Sequence, residues 1–161
     1  MSRFGNTPYT VEEATRRMQQ YCAYQERCHQ EVVQKLKQMR MIPQAIDAIV
    51  VHLIDAGFLN EERFARAFAS GKFRHKHWGR LRIRRELRAR GIGQFLISQA
   101  LSDISDNAYQ ETLDKLVEKK LLEWEGHPPV VLAQKLYRYL TYRGWENELI
   151  RDRIDPLFDT P

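Results

Sequence analysis

One pattern returns three times along this chain, and it restricts the fold more than any other feature. The stretches Leu36-Lys37-Gln38-Met39-Arg40-Met41, Leu87-Arg88-Ala89-Arg90-Gly91-Ile92 and Leu140-Thr141-Tyr142-Arg143-Gly144-Trp145 each end a basic amphipathic run with a turn and an apolar residue. The turn positions 40, 91 and 144 lie 51 and 53 residues apart. Apolar residues at helical spacing follow each turn: Ile46, Ile49, Val50 and Leu53, then Leu96, Ile97, Ala100 and Leu101, then Leu149, Ile150 and Ile154. A further helical run precedes each pair, over Val11–Tyr24, Glu61–Arg74 and Ala108–Trp124. The chain is therefore expected to be all-α, an elongated array of three tandem three-helix repeats at 10–57, 58–104 and 105–158. Short tails at 1–9 and 159–161 complete it. A unit this short buries little surface alone, so neighbouring units should pack together.

Local signals agree with helices throughout. Thr10 and Glu13 have the spacing of a capping box, and Asn60 stands where it can cap a helix starting at Glu61. Pro43 and the pair Pro128-Pro129 suit helix starts. Gly57, Gly91 and Gly144 each follow a helical run and precede Phe58, Ile92 and Trp145, the arrangement of a glycine that ends a helix. The first repeat departs from this, with Arg40 at the turn where glycine is expected. Cys22 and Cys28, six apart in helix or helix and turn, are poorly placed to pair and read as reduced thiols.

No apolar run approaches the roughly 20 residues that span a bilayer, and Met1 to Thr10 lacks the apolar stretch of a signal peptide. A cytoplasmic protein with no membrane partner is expected. The net charge of +5 is unevenly spread. Residues 1–60 are net +1, residues 61–90 carry 11 basic and 3 acidic groups for a net of +8, and residues 91–161 are net −4. Lys72, Arg74, Lys76, Arg80, Arg82, Arg84, Arg85, Arg88 and Arg90 fall within 19 residues, with Glu86 the only acid among them. On a helix from Gly79, Ile83 and Leu87 make an apolar stripe, and Arg80, Arg84 and Arg88 a basic one beside it. Arginine predominates, which suits bidentate contacts to phosphate or carboxylate. The segment reads as a footprint for nucleic acid or an acidic protein surface; the alternative is a solvated face paired with the acidic third repeat. Trp78 reads as core or interface, with base stacking as the alternative.

Motifs for catalysis are missing: the chain has no phosphate-binding glycine loop, nucleophile elbow or HExxH. His75 and His77 lack neighbouring cysteine or carboxylate ligands, so no metal or other cofactor is expected. The adjacent glutamates at 12–13 and 61–62 are explained by helix starts. Carboxylates read as dispersed or as lying in the C-terminal part, away from the basic segment. An enzyme is thus the weakest of three readings, behind a binding protein for a nucleic acid–protein assembly and a DNA-binding module using the basic helix.

The stretch Ala56-Gly57-Phe58-Leu59-Asn60-Glu61-Glu62-Arg63-Phe64-Ala65, with Trp78 to Ile92 after it, resembles the RecX family of recombination regulators. The family pattern has a glycine–aromatic–leucine turn, an acidic cap, an arginine–phenylalanine–alanine step and a glycine-led basic helix ending in leucine and glycine–isoleucine. Asn60 stands where aspartate is common, and either residue caps. The resemblance implies an array of three-helix repeats that binds the RecA recombinase, lodges in the groove of its filament on single-stranded DNA, blocks filament growth and lowers ATPase and co-protease activities. It implies a non-enzymatic partner of that filament, with single-stranded DNA touched directly or through it; a monomer is expected. Lys72, Arg74, Lys76, Arg82, Arg84, Arg85 and Arg88 are the candidate contact residues, with Arg138 and Arg143 of the third repeat as weaker ones. Tyr137 beside them is equally consistent with core.

Overall fold

Apolar residues at helical spacing form helices because that spacing gives each helix one face to bury. The computed structural model describes residues 8–158, which hold nine helices and no strand. The tails expected at 1–9 and 159–161 lie outside this range except for Pro8 and Tyr9. The helices are α1 Val11–Tyr24, α2 His29–Gln38, α3 Pro43–Asp55, α4 Glu61–Lys76, α5 Arg80–Ala89, α6 Gln94–Ser102, α7 Asp106–Glu123, α8 Pro129–Tyr142 and α9 Asn147–Phe158. The all-α array of three-helix units is the observed architecture, and helices pack most closely within each set of three.

The ends follow from local chemistry. The Thr10 hydroxyl accepts from the Glu13 amide at 3.1 Å and the Glu13 carboxylate accepts from the Thr10 amide at 3.2 Å, so two of the free donors at the start of α1 are answered. Asn60 accepts from the Arg63 amide at 2.9 Å. Pro43 and Pro129 occupy first turns. Two ends differ from expectation. α4 runs on to Lys76 and stops at His77, which is left-handed at φ 54°. α7 starts earlier, at Asp106, because Ser105 caps it by accepting from the Ala108 amide. Arg40 adopts φ 61° at the turn where the other repeats have glycine. The backbone turn is thus kept without the residue that favours it, at a cost of about 1 kcal/mol.

The buried side chains form two cores. Ala14, Met18, Val32, Leu36, Ile49 and Leu53 belong to the first, inside repeat one. The second runs without a break through repeats two and three, from Phe64 through Ile83, Leu87 and Tyr109 to Trp145 and Ile154. At the first joint the chain trades residues between cores. Leu59 is buried in the first core and Phe58 packs against it, although both follow the turn at Gly57. Cys28, from the first repeat, is buried in the second core. Cys22 and Cys28 are both unpaired and buried, and burial pushes the Cys28 thiol up to about 11, which leaves it protonated and unreactive near neutrality. Arg63 ties this joint from outside, bonding Glu26 at 2.7 Å and donating to the Gly57 carbonyl at 2.9 Å.

Candidate interaction surface

The second joint positions the basic helix, and it is made largely of backbone. The amide of Gly79 donates to the Arg143 carbonyl at 2.8 Å, and that of Leu81 to the Gly144 carbonyl at 3.0 Å. The strips meet at two glycines, where a side chain on either would enter the opposite main chain. A Cβ on Gly79 would sit 2.7 Å from the Cα of Trp145, and one on Gly144 would sit 2.8 Å from the Cα of Arg82. Trp145, 1 % exposed, donates from Nε1 to the His77 carbonyl at 3.1 Å. Its ring lies 4.4 Å from that of Tyr109. Tyr109 donates to the Glu146 carboxylate and accepts from the Arg80 amide at 3.0 Å. Burial, then the bond to Glu146, raises its pKa, so it stays a neutral donor.

This network corrects the expected separation of basic and acidic groups. Arg80 bonds Glu146 at 3.1 Å and lies 3.6 Å from Asp106. It is drawn into the joint because helices α7 and α9 bring third-repeat carboxylates against the start of α5. Arg90 likewise bonds Glu86 at 2.9 Å, one turn back on its own helix. These two arginines are internally compensated.

Six of the other basic residues fall into two groups. Arg82 lies with its guanidinium 4.1 Å from the Trp78 ring and 4.7 Å from that of Tyr142, and donates to the Tyr142 carbonyl at 3.3 Å. Its Nε is buried without a hydrogen-bond partner. Arg143 lies over Tyr139 and donates to the Lys76 carbonyl. Lys72 is half-buried, its ammonium 5.0 Å from the Trp78 ring and 5.5 Å from that of Phe68. These three are engaged with aromatic rings or the joint. Trp78 itself packs, partly buried, on the second core, edge-on to Phe68 at 6.2 Å, in keeping with the expectation of a core or interface residue.

Arg84, Arg85 and Arg88 form the second group. Arg85 and Arg88 are exposed on α5 and Arg84 is half-buried beside them, while Ile83 and Leu87 are fully buried. Spacings of three and four residues put Arg88 beside both of the others. Arg88 donates to the amide oxygen of Gln94 at 2.9 Å, and none of the three joins an ion pair among the described residues. Arg74 and Lys76 are exposed at the end of α4, where cations also favour the helix dipole. Arg138 is exposed on α8 beside Tyr137, whose hydroxyl donates to Asn147 at 2.7 Å. Sequence reasoning missed the Arg80–Glu146–Tyr109 set altogether. Tyr109 and Glu146 are 37 residues apart and no local period links them.

His77 is the titratable group of this joint. Burial lowers its pKa, helped by Arg143 and Lys119, and its Nδ1 is buried without a partner. The unfolded chain therefore takes up this proton first as pH falls, and the folded state loses stability from about pH 6.5 downward to the lower native value. His77→Asn, which tolerates the left-handed backbone, is expected to flatten the fall in urea midpoint between pH 7.5 and 5.5. An unchanged pH dependence in the variant would remove His77 from this role.

Among the described residues no group of three or more His, Cys, Asp or Glu could hold a metal ion. No described helix is long and apolar enough to cross a membrane. What the fold and surface define is an all-α tandem-repeat protein with uncompensated arginines on its middle unit. The family descriptions "RecX, second three-helix domain" and "RecX, third three-helix domain" match residues 60–101 and 107–153. A regulatory protein RecX of Chlorobium phaeobacteroides is 30 % identical over 134 residues, 83 % of this chain and 85 % of its own. One of Pseudomonas savastanoi pv. phaseolicola is 34 % identical over 122 residues, 74 % of this chain and 76 % of its own. A crystal structure of regulatory protein RecX superposes with a TM-score of 0.78 at 25 % identity, covering 91 % of this chain and 71 % of that one. The RecX of Lactobacillus salivarius shares the fold, with a TM-score of 0.77 at 23 % identity over 92 % of this chain and 96 % of its own. The chain belongs to the RecX family of regulatory proteins.

Proposed function

We propose that this chain binds the RecA recombinase filament on single-stranded DNA and restrains it, lowering its ATPase and co-protease activities through binding alone. The observation that carries the reading is the trio Arg84, Arg85 and Arg88, set beside a fully buried stripe with Arg85 and Arg88 exposed and Arg84 half-buried, and left without carboxylate partners among the described residues. Arg74, Lys76 and Arg138 extend the electropositive contact. Lys72, Arg82 and Arg143 serve it indirectly, by fixing the joint that orients α5. Guanidinium groups with unused donors match the phosphates of a bound strand and the carboxylates of a protein groove. Two repeats sharing one core would present these groups as a rigid body, which limits the ordering cost of docking.

Recombinase ATPase on single-stranded DNA, titrated with this chain, tests the reading. The rate is expected to fall at substoichiometric amounts. An undiminished rate at equimolar protein, under conditions where DNA alone does not bind the chain, would rule out restraint of the filament. A duplex mobility shift at two salt concentrations separates this from a DNA-binding module. Phosphate contacts on duplex give a log–log salt slope of about −0.9 each, and sequence selectivity without recombinase would favour the module.

A further inference from the structure

We propose that the first repeat carries a binding site for a nucleoside phosphate, free or as one unit of a single strand, in the pocket between α1 and α2. The pocket measures about 600 Å³, within the roughly 300–1,000 Å³ of small-molecule sites. Tyr9, Tyr21, Tyr24, Arg17, Arg27 and Lys35 supply its aromatic and charged lining, and no carboxylate lines it. Such a lining occurs in a repeat with as many acidic as basic groups, so its net charge does not announce it.

The cations are not equivalent. Arg27 lies 3.7 Å from the Tyr21 ring, donates to the Tyr21 carbonyl at 3.1 Å and reaches Glu31 at 4.0 Å, so it is committed to the wall. Lys35 stands 5.7 Å from the same ring, and Arg17 lies 4.6 Å from that of Tyr9. Neither Arg17 nor Lys35 joins an ion pair among the described residues. Tyr24 is the last residue of α1 and is 84 % exposed, because the chain turns to extended backbone at Gln25 directly after it. The pocket thus offers two cations without counter-charge and one bare aromatic face.

A phosphate answers the cations and a base answers the ring, the combination by which proteins hold single strands without reading sequence. An acidic peptide would satisfy Arg17 and Lys35 but leave Tyr24 with nothing to stack on. The site belongs to another repeat than Arg84, Arg85 and Arg88, and it requires no recombinase.

Equilibrium binding of the full chain to fluorescein-labelled oligodeoxythymidylate, with thymidine monophosphate titrated in a parallel calorimetric arm, tests the proposal. Tyr24→Ala is expected to weaken binding by about 5- to 150-fold, the value of one base stacked on an aromatic ring. Arg17→Gln with Lys35→Gln should reduce the log–log salt slope on the strand by about 1.4, two single-strand phosphate contacts. All three side chains lie at the surface, so circular dichroism should be unchanged. Monophosphate binding that Tyr24→Ala abolishes assigns a free nucleotide, and strand binding alone assigns a strand. The proposal fails if the wild-type chain binds neither probe, or if binding is the same in both variants. Because recombinase is absent, that failure would leave the filament reading untouched.

Discussion

Gly144→Ala should lower the melting temperature of this protein by about 12 °C, against about 3 °C for Gly91→Ala. Both glycines end a helix in the left-handed region, at φ 91° and 77°. Alanine in that conformation costs about 1 kcal/mol at either position. They differ in what lies beyond. Nothing stands within 4 Å of a Cβ on Gly91, whereas one on Gly144 enters the backbone of Arg82 at the start of α5. The neighbour is main chain held by the hydrogen bond from the Leu81 amide to the Gly144 carbonyl, so it cannot swing aside. Overpacking of this kind adds about 3 kcal/mol. Gly79→Ala isolates the second effect, since Gly79 has φ −80° and meets Gly144 and Trp145 instead. Thermal unfolding of the three variants checks the ordering. Equal losses at positions 91 and 144 would mean that the two repeats are not locked through their backbones.

Reversing charge at Arg84, Arg85 and Arg88 together should weaken filament binding by about 100-fold, the sum of three surface charge contacts at roughly 1 kcal/mol each. Stability should barely move, because these groups have no internal ion pair among the described residues. Arg80→Glu is the informative contrast. It would set a third carboxylate against Glu146 and Asp106 in a half-buried joint, so it should unfold the protein at lower temperature while leaving the outer arginines in place. Sedimentation of filaments with each variant, paired with its melting curve, separates the two effects. Full binding by the triple variant would remove α5 as the contact surface.

Much of the helical plan was legible along the chain. Thr10 with Glu13, Asn60, and the proline at 43 mark helix starts through contacts spanning three or four residues, and such contacts are visible in sequence. The buried positions Ile83 and Leu87 follow from helical period alone. The basic segment was legible as a density of charge, but its division into inward and outward members was not. Arg80 and Arg84 stand one turn apart on the same face of α5, yet only Arg80 meets Glu146, because α9 arrives there from 66 residues away. Arg82, placed elsewhere on the helix, is held between Trp78 and Tyr142 for the same reason.

Local order therefore followed largely from composition and spacing: nine helices among the described residues, several of their caps, and the three-fold recurrence of the unit. Tertiary structure alone decided that repeats two and three share one core while the first keeps its own, and that Gly79 and Gly144 touch. The physical reason is range. A helix is specified by hydrogen bonds four residues long, whereas the charge state of a surface and the need for glycine at a joint depend on which distant segment comes to lie against it.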